Sequence, residues 1–160
     1  KAMEYELCEY LGFGNITEKT YAEWQQHFGL SADTEMEAEH ELAMEKEFGQ
    51  TLITNFPELT SPFWNMARND DGNTAKKMDV ILGGMETIGS AERSCDVDMM
   101  RDTFHSITDG AYSKLLFELF GKDRVEAELE KFLEFDFFQR VGGGIGITRM
   151  IPALEKIGKV

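Results

Sequence analysis

Four glycines in five residues, within VGGGIGITRM at 141–150, set the tightest limit on what this chain can fold into. Glycine gives up more conformational freedom on ordering than any other residue. A folded chain keeps such a run where something must lie close against bare backbone. Ile147, Met150, Ile151, Leu154 and Ile157 follow at helical spacing, so the run reads as a joint between a strand near 136–141 and a helix. A helix N-terminus offers exposed N–H groups and a positive dipole end, which suit an anion. Arg149 stands near that start, and its planar guanidinium can stack on a base or pair with a phosphate. Two readings of the stretch stay open: a nucleotide site, or tight packing of a strand on a helix. Pro152 falls inside the apolar pattern, so the helix either starts late or is kinked.

The elements before the joint decide between fold classes. Residues 2–11 suit a helix. TYAEWQQHFGL opens with Thr20 and Glu23 at capping-box spacing and stops at Gly29. Thr34 and Glu37 repeat the spacing ahead of an acidic helix that runs to about Gly49. The period then changes. TLITNF is a short β-branched strand ending at Pro57, and SPFWNMAR, NDDGNT and AKKMDVIL read as strand, tight turn, strand, with Asp-Gly supplying the positive φ. GGMETIGSAERS reads as a third strand. Helices are expected near 96–108, 110–121 and 123–134. This order is α+β, an antiparallel sheet flanked by helices in one domain, and not alternating βαβ. The glycines are therefore no Rossmann fingerprint, and they lack the Lys-Ser/Thr ending of a P-loop. The acids of NDDGN lack the spacing of a calcium loop.

Charge narrows the partners. The 160 residues carry a net charge of −14, which argues against holding nucleic acid through this surface alone. Six Glu and one Asp in ADTEMEAEHELAMEKEFG sit all round one helix and read as a solvated face. No apolar run approaches the ~20 residues of a membrane helix, so no membrane is expected and the cytoplasm is the expected compartment. The N-terminal stretch has neither signal-peptide nor transit-peptide character. Cys8 and Cys95 read as free thiols, and His27, His40 and His105 as helix-surface or packing residues.

A second constellation lies in MDVILGGMETIGSAER. Asp79 and Glu86 fall on successive strand segments separated by Gly83-Gly84, and two carboxylates meeting at one place suit Mg²⁺ bound with phosphates. Arg93 follows beside the small residues Gly89, Ser90 and Ala91, where a guanidinium can grip a carboxylate or amide. Taken singly, each of these also reads as an edge charge or surface ion pair.

Two blocks then carry a resemblance. NFPELTSPFWNMARNDDGNTAKKMDVILGGMETIGSAERS resembles the class II aminoacyl-tRNA synthetases of the aspartyl/asparaginyl type, and GGGIGITR resembles their third motif, Gly-x-Gly-x-Gly-x-x-Arg. The resemblance runs from about Thr34 to Val160. It implies part of a class II synthetase-like catalytic core that turns aspartate or asparagine and ATP into an aminoacyl-adenylate and pyrophosphate. It implies that Asp79 and Glu86 hold Mg²⁺ and the ATP phosphates. Arg93, with Ser90 beside it, reads the substrate side chain; Gly144 and Gly146 line the adenine site; and Arg149 stacks on the adenine as a catalytic group with Glu86.

The departures set further expectations. The family's first motif, which builds its dimer interface, and its second, with an arginine on the α-phosphate, are not found here. The chain is thus expected to be the C-terminal half of a catalytic domain without an anticodon-binding domain. tRNA would be met through regions outside it, and the full-length protein would be a homodimer. FFQRVGGG replaces the family's Pro-His before the glycines, and Thr148 replaces the usual Glu. The pattern Q-x-x-GGGIG is also similar to the ammonia-using asparagine synthetases, which work without tRNA and are the first alternative. A non-catalytic regulatory or binding paralogue is the second.

Overall fold

The computed structural model describes all 160 residues, Lys1–Val160. In chain order the elements are α1 (Ala2–Leu11), β1 (Thr17–Thr20), α2 (Tyr21–His27), α3 (Ala38–Phe48), β2 (Thr51–Pro57), β3 (Thr74–Leu82), β4 (Met85–Arg93), α4 (Val97–Ser106), α5 (Ala111–Phe120), α6 (Lys122–Leu133), β5 (Arg140–Ile145) and α7 (Ile147–Lys156). One five-stranded sheet runs β1-β2-β3-β4-β5. β1 is parallel to β2, and every other pairing is antiparallel. The expected α+β class is what forms.

Period-2 alternation splits the sheet into two faces. Val80, Leu82 and Ile88 join Leu52, Cys8, Met150 and Ala153 in a core under α1 and α7. Ile53, Phe56 and Ile81 point the other way, into a core with Tyr21, Trp24 and Met44 from α2 and α3. A third core, built on Trp64, Met100, Phe104, Val125, Leu129 and Leu133, ties α4 and α6 to the loop before β3. Between the second and third cores, the face that carries Asp79 is left as an open floor.

Gly83 and Gly84, both at positive φ, close the β3–β4 hairpin; two such residues match the right-handed twist of the flanking strands. A bulge follows, because Val80 pairs with Ile88 while Ile81 pairs with Glu86. Thr87 is the extra residue, so Glu86 is re-aimed onto the face of Asp79.

Four expectations are corrected. The stretch 61–68 is no strand. It makes only two isolated bridges, Met66 to Arg93 and Arg68 to Ala75, because Trp64 turns into the third core and Arg68 folds back onto Glu58. The turn after it does form, with Gly72 at φ +67° and the Asp71 carboxylate accepting from the Asn73 and Thr74 amides. The acidic helix starts at Ala38 rather than Thr34: Thr34 closes a turn on Ser31, and the Glu37 N–H donates to His40 Nδ1 at 2.9 Å. Its acids are not all solvated either, since Glu41 and Glu45 bond to the hairpin and to α7. The strand expected near 136–141 lies at Arg140–Ile145, so the glycines are the edge strand itself and only Gly146 is the joint. The cause is steric. A Cβ on Gly143 would stand 2.7 Å from the Gly89 carbonyl oxygen and 2.8 Å from Ser90 Cβ. Pro152 sits in the second turn of α7, where it leaves the Thr148 carbonyl without its helical donor.

Candidate active site

The floor is built by register. Asp79 faces Gly89, which faces Gly144; Lys77 faces Ala91, which faces Gly142; Arg93 faces Arg140. Partners in register share a face, so Lys77, Asp79, Glu86, Gly89, Ala91, Arg93, Arg140, Gly142 and Gly144 lie on one side. Ser90 does not join them. Its period places it opposite Gly143 on the other face, where its hydroxyl donates to buried Glu4 at 2.6 Å. The structure therefore separates it from Arg93.

At one end, Glu86, Thr87, Gly89, Gly144, Ile145, Gly146 and Arg149 line a cleft of about 330 Å³. A Cβ on Gly144 would meet nothing within 4 Å, so this strand offers the cleft a flat, bare surface. Gly146 caps α7, and its N–H donates to the Thr87 carbonyl at 2.8 Å. Arg149 is half-exposed and donates to the Glu86 carbonyl at 2.7 Å, with the Glu86 carboxylate 3.9 Å away. The guanidinium is thereby tethered beside the glycines.

In the middle, two carboxylates converge over Gly89. A Cβ there would lie 2.6 Å from Glu86 Oε1 and 3.3 Å from Asp79 Oδ1. Asp79 is buried, with one oxygen paired to Lys77 and the other, Oδ1, without a partner. Burial pushes its carboxyl up to about 6; Lys77 opposes the rise, and Glu86 and Glu41 add to it. Glu41 was missed in the sequence. From α3 its carboxylate accepts the Glu86 N–H at 2.8 Å, and burial raises its pKa while that N–H lowers it. Lys77 was missed too; its ammonium also lies 3.9 Å from the centre of the Phe56 ring. The i, i+2 spacing of Lys77 and Asp79 on a strand was the one available signal.

At the far end, Arg93 donates to Asn65 Oδ1 at 3.2 Å and to the Gly142 carbonyl at 3.3 Å. A Cβ on Gly142 would stand 3.0 Å from its Nε, so this glycine is what lets the arginine lie flat against β5. Arg140, also missed, stands directly across from it.

No three His, Cys, Asp or Glu side chains gather tightly enough to hold a metal alone. Two carboxylates with an unpartnered buried oxygen nonetheless fit Mg²⁺, which binds through one or two carboxylates and takes its other ligands from phosphate and water.

Comparisons with known proteins agree with this fold. The asparaginyl-tRNA synthetase of Pyrococcus horikoshii complexed with asparaginyl-adenylate superposes with a TM-score of 0.67 at 18% identity, over 90% of this chain and 32% of that one. The aspartyl tRNA synthetase of Entamoeba histolytica gives 0.66 at 17% identity, over 89% of this chain and 30% of that one. In sequence, the asparagine–tRNA ligase of Treponema denticola is 34% identical over 70 residues, 42% of this chain and 15% of the relative. That of Xylella fastidiosa is 31% identical over 99 residues, 60% of this chain and 21% of the relative. The chain thus spans about a fifth or less of the curated relatives it matches. The sequence profile of the tRNA synthetases class II (D, K and N) covers residues 9–160, and the chain belongs to that family.

Proposed function

We propose that this chain is part of an ATP-dependent ligase of the aspartyl/asparaginyl-tRNA synthetase type, which activates aspartate or asparagine as an aminoacyl-adenylate. One observation carries the reading: the glycine cleft with Arg149 leads across the strands into the carboxylates over Gly89, with which it shares Glu86, and Arg93 lies further along the same face of β4. That order matches the parts of an adenylate: base, phosphate, amino acid.

In this reading, adenine lies on Gly144 and Gly146, and Arg149 covers its other face. Asp79 and Glu86 hold Mg²⁺ against the ATP phosphates, and the ion supplies charge neutralisation there. Arg93 fixes the amino-acid side chain. The amino acid's own carboxylate oxygen attacks the α-phosphorus. The new O–P bond replaces the bond to the bridging oxygen, and pyrophosphate leaves with that electron pair. No side-chain base is needed, because the nucleophile is already ionised. The acceptor is tRNA, the full-length protein is a homodimer, and the reaction belongs in the cytoplasm. A second reading, transfer of an activated aspartate to ammonia, is favoured by Gln139 and Thr148 around the glycines; release of free asparagine would mark it.

The test is exchange of labelled pyrophosphate into ATP that depends on aspartate or asparagine, with ATP binding measured alongside. Arg149→Ala is expected to weaken ATP binding by about tenfold or more. Exchange with neither amino acid, together with unchanged ATP binding in that variant, would overturn the reading.

A further inference from the structure

The chain has six arginines. Arg68, Arg101, Arg124 and Arg149 each lie within 4 Å of a carboxylate. Arg93 and Arg140 do not, although acids outnumber bases 30 to 16. These two stand opposite each other on β4 and β5, on the face of Asp79. Every contact they make is to a neutral oxygen at 3.2–3.3 Å: Asn65 Oδ1 and the Gly142 carbonyl for Arg93, the Ser94 and Phe138 carbonyls for Arg140. The nearest acid in sequence, Glu92, points to the other face, towards Lys76 and Gln139.

Like charges directly opposite on neighbouring strands repel. Here no carboxylate of the chain lies within 4 Å of either guanidinium to relieve the repulsion. The Phe137 ring lies 4.6 Å beneath the Arg140 guanidinium and supports it without neutralising it. Each guanidinium has five N–H donors and uses two here. What remains is a pair of neighbouring charges with spare donors on one face, suited to a planar anion.

We propose that Arg93 and Arg140 together form a carboxylate site, and that Arg140 makes the protein select an amino acid with an acidic side chain over its amide. This rests on the adenylate reading above, which Arg93 alone leaves open between the two. The site lies beyond the nucleotide end. Arg93 lies four residue steps along the strand from Gly89, roughly 13 Å, and an adenylate laid out from the glycine cleft reaches the arginines with its amino-acid side chain. An amide would leave the second guanidinium unneutralised, whereas a carboxylate satisfies both.

Calorimetric titration with the aspartyl, asparaginyl and alanyl sulfamoyl-adenosines, stable mimics of the three adenylates, tests this. The protein is expected to bind the aspartyl compound about tenfold or more tighter than the asparaginyl one. Arg140→Gln is expected to bring the two within about threefold, leaving the alanyl compound unchanged, and Arg140→Lys to fall between. Circular dichroism on each variant separates lost selectivity from lost fold. A tighter asparaginyl compound, or a ratio that Arg140→Gln leaves unmoved, would overturn the role of Arg140 while the adenylate reading stands. Failure of all three compounds to bind would overturn both.

Discussion

Asp79 is where the site costs the fold something. Its carboxyl titrates near 6, against an ordinary 3.8, because burial penalises the charge more than Lys77 relieves it. The native state holds this proton more tightly than the unfolded chain does. Its contribution to stability is therefore fully present below about pH 4 and is lost as pH rises through about 6. The shift corresponds to roughly 3 kcal/mol at most. Asp79→Asn is expected to flatten the pH dependence of unfolding between pH 4 and 7, read from urea midpoints at each pH; the same slope in both proteins would count against the burial argument. The carboxylate is also the form that holds a cation, so in Mg²⁺ the affinity for ATP is expected to rise with pH through about 6 in the parent protein and to lose that rise in Asp79→Asn. The identity of Asp79 and Glu86 as a pair was legible from their place on either side of Gly83-Gly84. The bulge that brings Glu86 onto the same face was not. Nothing in METIG says that Thr87 is the residue skipped, and strict alternation would have put Thr87 there instead.

The edge strand shows the same limit at the scale of an element. Counting glycines identified the stretch as one that must lie close to something, but it could not say which glycine faced what. Register divides the work. Gly143 presses on the backbone of β4, Gly142 makes room for Arg93, and Gly144 opens into the cleft. Two substitutions separate these roles. Gly143→Ala must push against the Gly89 carbonyl and is expected to destabilise by about 1–3 kcal/mol, seen as a lower denaturant midpoint. Gly144→Val has room in the free protein and is expected to change stability by no more than about 0.5 kcal/mol, while weakening ATP binding severalfold by occupying the bare surface. A Gly144→Val variant that binds ATP normally would place the adenine elsewhere. The helices were the most legible part. α4, α5 and α6 fall within two residues of their expected bounds, because apolar spacing and the glycines at 110 and 121 mark their ends. The acidic helix misled, since composition cannot tell a solvated Glu from Glu41, which faces the sheet only once α3 is docked.

Across the whole molecule, the sheet lets two cores and an open floor share one set of strands. Leu52, Val80, Leu82 and Ile88 support the floor from beneath, so its polar side can stay free of packing side chains. The floor nevertheless sits in a chain of net charge −14, and three carboxylates, Asp79, Glu86 and Glu41, crowd its middle. A polyphosphate brought there as a bare anion meets like charge both at short range and in the summed field. The purine end meets Arg149 and bare backbone instead. The two halves of a nucleotide should therefore differ in their need for a cation. Removing Mg²⁺ with a chelator is expected to weaken ATP binding by about tenfold or more, and to leave AMP, with its single phosphate, within about twofold. Titrations of ATP and AMP with and without Mg²⁺ read this directly. Equal losses for both nucleotides would mean that the ion holds the fold rather than the phosphates, and no loss for either would mean that Lys77 and Arg149 carry the phosphates on their own.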